Sequence, residues 1–72
     1  MDATLQRKAQ LKLRYIEVAV AVNDLRTPPG NRLEKLGGDR KGTYSIRVNQ
    51  QYRICFRWTA HGVEEVEFTD YH

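Results

Sequence analysis

The amino-acid sequence predicts an α+β domain, with an N-terminal helix or bent helix pair packed on one face of a mainly antiparallel sheet of three to four strands. Three observations predict it. Apolar residues recur at spacings of three and four in the first part of the chain. They alternate with polar residues in the last part. Between the two regimes lies the one Pro/Gly-rich stretch, Thr27-Pro28-Pro29-Gly30-Asn31. At 72 residues the chain makes a single domain, 1–72, near the size at which one core becomes hard to stabilise.

Each element has its own signal. Leu5, Ala9, Leu13, Ile16 and Val20 form the stripe of an amphipathic helix, with Thr4 as N-cap. A second stripe, Leu11, Tyr15, Val18, Val22 and Leu25, runs beside it and predicts burial on a broad face, until Pro28-Pro29 ends the helical region. Leu33 to Leu36 reads as a short strand leading into a Gly37-Gly38 turn. Thr43 to Asn49 places Tyr44, Ile46 and Val48 on one face and Ser45, Arg47 and Asn49 on the other. Tyr52 to Trp58 does the same with Tyr52, Ile54, Phe56 and Trp58 against Arg53, Cys55 and Arg57. Val63 to Phe68 is the final strand, entered through a turn at His61-Gly62.

Keeping the apolar faces together fixes the hairpin register. A two-residue loop at Gln50-Gln51 would set Val48 opposite Arg53 and mix core with charge. A three-residue loop, Asn49-Gln50-Gln51, pairs Val48 with Tyr52, Ile46 with Ile54 and Tyr44 with Phe56. It also sets Arg47 opposite Arg53, a mildly repulsive pair that makes more sense if an anion visits.

Charge narrows the function classes. Residues 1–57 hold all 12 Lys/Arg against five acids, a surplus of +7, and residues 58–72 hold Glu64, Glu65, Glu67 and Asp70, a charge of −4. A basic body favours a polyanion or an acidic partner. No run of about 18 apolar residues is present, so no membrane partner is expected. The most apolar stretch, Tyr15 to Val22, contains Glu17 and lies too far inside to be a signal peptide. A lone Cys55 can form neither an internal disulfide nor a zinc site, which points to a reducing cytoplasm.

Among residues that carry chemistry, the arginine face is the main signal, because a guanidinium offers a planar fork of donors that suits phosphate oxygens and the charge built up in phosphoryl transfer. The Gly37 to Gly42 loop lacks the spacing of a phosphate-binding loop, but its Arg40 and Lys41 could grip phosphate. Asp70-Tyr71-His72 brings titratable groups and a terminal carboxylate to the end of a strand, where Asp or His could move a proton. Strand parity sets Tyr71 on the arginine face and Asp70 and His72 on the other. His61 reads as a turn residue, Cys55 as a small filler, and Phe56 and Trp58 as core. No cofactor or metal-ligand cluster is expected.

The motifs Pro28-Pro29-Gly30-Asn31-Arg32-Leu33-Glu34, Gly38-Asp39-Arg40-Lys41-Gly42, Tyr44-Ser45-Ile46-Arg47-Val48-Asn49 and Gln51-Tyr52-Arg53-Ile54-Cys55-Phe56-Arg57-Trp58, closing on Asp70-Tyr71-His72, resemble the HigB-type toxins of the RelE/ParE superfamily. The resemblance covers residues 4–72. It implies a RelE-like, microbial RNase-like fold and metal-independent, ribosome-dependent endoribonuclease activity on mRNA. It also implies neutralisation by a HigA-type helix-turn-helix antitoxin, through which the complex would reach operator DNA. Position by position, Arg53 matches the family's active-site arginine, Asp70, Tyr71 and His72 its functional C-terminal triplet, and Arg47 a basic strand position facing substrate. Some members carry a His ahead of the Gly-Asp-Arg turn and a Lys within it; here Glu34 and Gly37 stand there, which leaves Glu34 as a candidate base. Arg40, Lys41, Arg47 and Arg57 are the expected RNA-binding set. Members usually begin with a strand and a helix ahead of residues 4–25, so the chain is expected to be marginal alone and held by its antitoxin or by self-association. The alternatives are a catalytically inactive, shortened toxin acting as an antitoxin-binding co-repressor module and, less favoured by the Tyr-Arg strand and the Asp-Tyr-His ending, a gyrase-poisoning toxin.

Overall fold

A computed structural model of the chain describes residues 3–37 and 42–70. Arg40, Lys41, Tyr71, His72 and the second half of the Gly37-Gly38 turn lie outside the described residues. Helix α1 spans Ala3–Val18, and short 3₁₀ turns follow at Val22–Arg26 and Pro29–Asn31. Strands β1 (Glu34–Lys35), β2 (Thr43–Arg47), β3 (Tyr52–Thr59) and β4 (Gly62–Asp70) complete the chain. They form one antiparallel sheet in the order β1-β2-β3-β4. The fold is α+β, as expected, with one α-helix and, after a bend in the chain, two short 3₁₀ turns.

The bend has a local cause. After Val18 the β-branched, alternating run gives poor helix support, and the Asp24 carboxylate accepts the N–H groups of Val20 and Ala21 at 3.1 Å each. Those bonds restart the chain as a 3₁₀ turn from Val22. The α-helix already includes Thr4, so Thr4 sits in its first turn and does not cap it.

The core lies between α1 and the aliphatic-aromatic face of the sheet. Leu5, Ala9, Ile16 and Leu25 meet Ile46, Val48, Ile54 and Phe56, with Tyr44, Tyr52 and Trp58 packed at the margin. The expected broad buried helix face is observed only in part: Leu25 is buried and Tyr15 and Val22 pack against the core, but Leu11, Val18 and Val20 are 49%, 65% and 90% exposed. A single helix laid over β3 reaches too little of the sheet to cover both stripes.

Strand pairing follows the expected register residue for residue, with Tyr44 opposite Phe56, Ile46 opposite Ile54 and Arg47 opposite Arg53. The loop is closed by Val48 N–H donating to the Tyr52 carbonyl at 2.9 Å. Asn49 pins it, its side-chain oxygen accepting the N–H groups of Gln51 and Tyr52 at 2.8 Å each. The β3–β4 turn needs a glycine at Gly62, where φ is +110°. In β4 an extra residue bulges between the partners of Cys55 and Arg57, and Glu65 takes φ +51° there.

Candidate functional site

Residues directly opposite in an antiparallel pair share a face, so the Arg47–Arg53 pairing puts both side chains on the face away from the helix. That face is not simply wetted by solvent. Ser45, Arg53 and Cys55 are all buried, and Arg53 is only 7% exposed. The Arg53 side chain is anchored inside the protein: Nε donates to Ser45 Oγ at 2.9 Å, and Nη2 donates to the Arg32 carbonyl at 2.6 Å and to the Ser45 carbonyl at 3.3 Å. Arg32 holds a left-handed conformation (φ 44°, ψ 57°) at the end of the Pro29–Asn31 turn, and its carbonyl is the one that meets Arg53. Glu34 completes the group, with Oε2 3.8 Å from Arg53 Nη2.

Arg47 turns the other way. Its Nε donates to the Asn49 carbonyl at 3.0 Å, so the loop that Asn49 pins also aims Arg47. The two guanidinium groups therefore take separate acceptors of the protein's own, which relieves the expected cross-strand repulsion without an anion. Between them opens a recess of about 190 Å³ lined by Arg32, Glu34, Arg47, Arg53 and the hairpin loop Asn49, Gln50 and Gln51.

The structure thus brings together Arg47, Arg53 and Glu34 from the expected set. Asp70 lies opposite Tyr52, on the other face from Arg53 as parity predicts, but accepts a hydrogen bond from Gln51 Nε2 at 3.2 Å. Gln51 also lines the recess, so it links the end of β4 to the site. Arg57 is not part of the group. At about 3.3 Å per residue it stands about 13 Å along β3 from Arg53, exposed and opposite Glu64.

Three contributors were not legible as such. Arg32 belongs to a quoted motif, yet its left-handed backbone follows no sequence rule for a non-glycine residue. Gln51 and Asn49 read as loop polarity, although an Asn at the mouth of a hairpin is the usual signal for a side chain that closes the turn. The bland readings of other residues hold. Cys55 is buried beside Thr69, whose Oγ1 lies 3.6 Å from its sulfur. The His61 N–H donates to Thr59 Oγ1 at 3.1 Å within the turn. Among the described residues no His/Cys/Asp/Glu group is placed to hold a metal ion, and no helix is long and apolar enough to cross a membrane.

One helix on an open four-stranded antiparallel sheet, with an arginine–glutamate recess on the opposite face, is an α+β architecture consistent with RelE-like toxins. Residues 1–72 match the family model described as a RelE-like toxin of the type II toxin–antitoxin system HigB, and the chain belongs to that family. Toxin HigB-1 of Vibrio cholerae serotype O1 is 57% identical over 47 residues, 65% of this chain and 50% of that protein. An uncharacterized protein of Haemophilus influenzae is 41% identical over 58 residues, 81% of this chain and 57% of that protein. The chain spans about half the length of these curated relatives.

Proposed function

We propose that the protein is the toxin of a type II toxin–antitoxin system and acts as a ribosome-dependent mRNA endoribonuclease. The observation that carries this reading is the recess in which Arg47, Arg53 and Glu34 meet, with the Glu34 carboxylate 3.8 Å from the Arg53 guanidinium. In the proposed reaction the RNA 2′-OH attacks the adjacent 3′ phosphate, giving a cyclic phosphate and expelling the 5′-oxygen of the next nucleotide. Glu34 takes the proton from the 2′-OH. Arg53, steadied by Ser45 and the Arg32 carbonyl, stabilises the charge gathering on the phosphate oxygens, and Arg47 assists. His72 or Asp70 returns a proton to the leaving oxygen, and Tyr71 orients a base. Arg40, Lys41 and Arg57 hold the backbone farther out. The ribosome aligns the strand, and alignment of this kind is worth roughly 7–11 kcal/mol of barrier.

The proposed partners are an antitoxin of HigA type and, through its helix-turn-helix domain, operator DNA. The burial of Arg53 among internal oxygens favours a second reading, an antitoxin-binding module in which that arginine is structural. Cleavage of mRNA by purified protein on programmed ribosomes separates the two. Glu34 is half exposed, so Glu34→Gln tests the chemistry with little cost to the fold. It is expected to slow cleavage by about 10²-fold or more. Arg53→Gln is expected to cost about 10²–10³-fold. Absence of cleavage by the wild-type protein sinks the nuclease reading, and undiminished cleavage in both variants sinks the roles given to Glu34 and Arg53.

A further inference from the structure

Beside the Arg53 recess runs a larger, open groove of about 840 Å³ between α1 and the β2–β3 hairpin. Lys8, Lys12 and Arg47 line it, together with Leu11, and among the described residues no carboxylate does. Lys8 and Lys12 are one helical turn apart and so lie side by side. Lys12 is an aimed cation: its Nζ donates to Asn31 Oδ1 and lies 5.4 Å over the Tyr15 ring. Asn31 is itself fully buried, held by bonds from its amide nitrogen to the carbonyls of Leu25 (3.1 Å) and Thr27 (3.4 Å). Burial first, and the neighbouring Lys8 charge second, hold the Lys12 pKa below its ordinary value. Among the described residues neither lysine has an acidic partner within ion-pair distance. The groove therefore gathers like charges that an incoming anion would relieve.

The groove and the recess share Arg47, Asn49, Gln50 and Gln51. An anionic chain seated in one continues into the other past Arg47. Leu11, 49% exposed between the two lysines, offers an apolar wall of the kind a base can lie on. We propose that Lys8, Lys12 and Arg47 form a second phosphate-binding subsite, on which the RNA strand continues out of the Arg53–Glu34 recess. This deepens the nuclease reading and rests on it for the direction of the strand.

The test is binding of a single-stranded oligoribonucleotide, made uncleavable by 2′-deoxy sugars around its centre, followed by fluorescence anisotropy over a series of salt concentrations. Each phosphate contact on a single strand contributes about 0.7 to the slope of log K against log salt. Lys8→Gln, at an exposed position, is expected to lower that slope by about 0.7, and Lys8→Gln with Lys12→Gln by about 1.4. Lys8→Arg is expected to keep the full slope, which separates charge from side-chain length. If the wild-type protein binds and both Gln variants keep its slope, the subsite is overturned while the nuclease reading stands. If the slopes fall as expected but the wild-type protein cuts no mRNA on ribosomes, the subsite stands and the nuclease reading falls. Absence of salt-dependent binding by the wild-type protein overturns both. A polyglutamate competitor that binds the wild-type protein and is lost in the double variant, while the oligonucleotide is not, reassigns the groove to an acidic protein segment and overturns the proposal.

Discussion

Asn31 has no exposed surface, yet it joins three parts of the chain: its amide nitrogen reaches the Leu25 and Thr27 carbonyls, and its oxygen takes a proton donor from Lys12. Replacing it with alanine takes this donor from the buried Leu25 carbonyl, and such a loss costs about 1–3 kcal/mol. Asn31→Ala is accordingly expected to lower the urea midpoint by an amount in that range with an unchanged m-value. Nothing local in Pro28-Pro29-Gly30-Asn31 marks this role, because one of its partners stands 19 positions away. Lys12 carries a pH signature. With its pKa lowered by burial and by Lys8, the unfolded chain binds more protons than the folded one in the alkaline range just below the ordinary lysine value. Stability therefore rises with pH across that window, and the cost of keeping Lys12 charged is fully present at neutral pH. Urea midpoints measured through the window should climb for the wild-type protein and stay flatter for Lys12→Gln.

Among the elements, the β2–β3 hairpin was the most legible, because a period of two on both strands admits one loop length that keeps apolar residues together. Asn49 then does locally what the pattern asks for globally, closing the loop with two acceptor bonds. Loss of those bonds in Asn49→Ala is expected to cost on the order of 1–2 kcal/mol and to loosen the aim of Arg47. The helix was half legible. Of its first stripe Leu5, Ala9 and Ile16 are buried and Val20 is not, and of its second Leu25 is buried and Leu11 and Val18 are not, since periodicity tells which residues share a side and not how much sheet is there to cover them. Val20, 90% exposed, stands as the test of that correction. Val20→Ser is expected to change stability by less than about 0.5 kcal/mol in thermal melts.

For the whole molecule, alternation along β2 and β3 correctly set Arg47 and Arg53 on one face, and the family resemblance supplied the Glu34 position beside them. What alternation cannot give is depth or distance. Arg53 is buried because a left-handed Arg32 presents its carbonyl to it, and Arg57, on the same face, stands too far along the strand to join the recess. The same scale shows in β4, which has a paired neighbour on one side only within the described chain. Val66 and Phe68 are 45% and 36% exposed there, among Glu64, Glu65, Glu67 and Asp70. Two copies meeting rim to rim would bring rows of carboxylates together, and within about 10 Å at 0.1 M salt that repulsion is felt. Sedimentation velocity should accordingly find Glu65→Gln with Glu67→Gln associating at lower concentration than the wild-type chain, with the gap closing as salt is raised. If that gap is found, the negative row is a gatekeeper: it would turn away the protein's own duplicates and leave the open edge of β4 to an extended segment that brings positive charge with it.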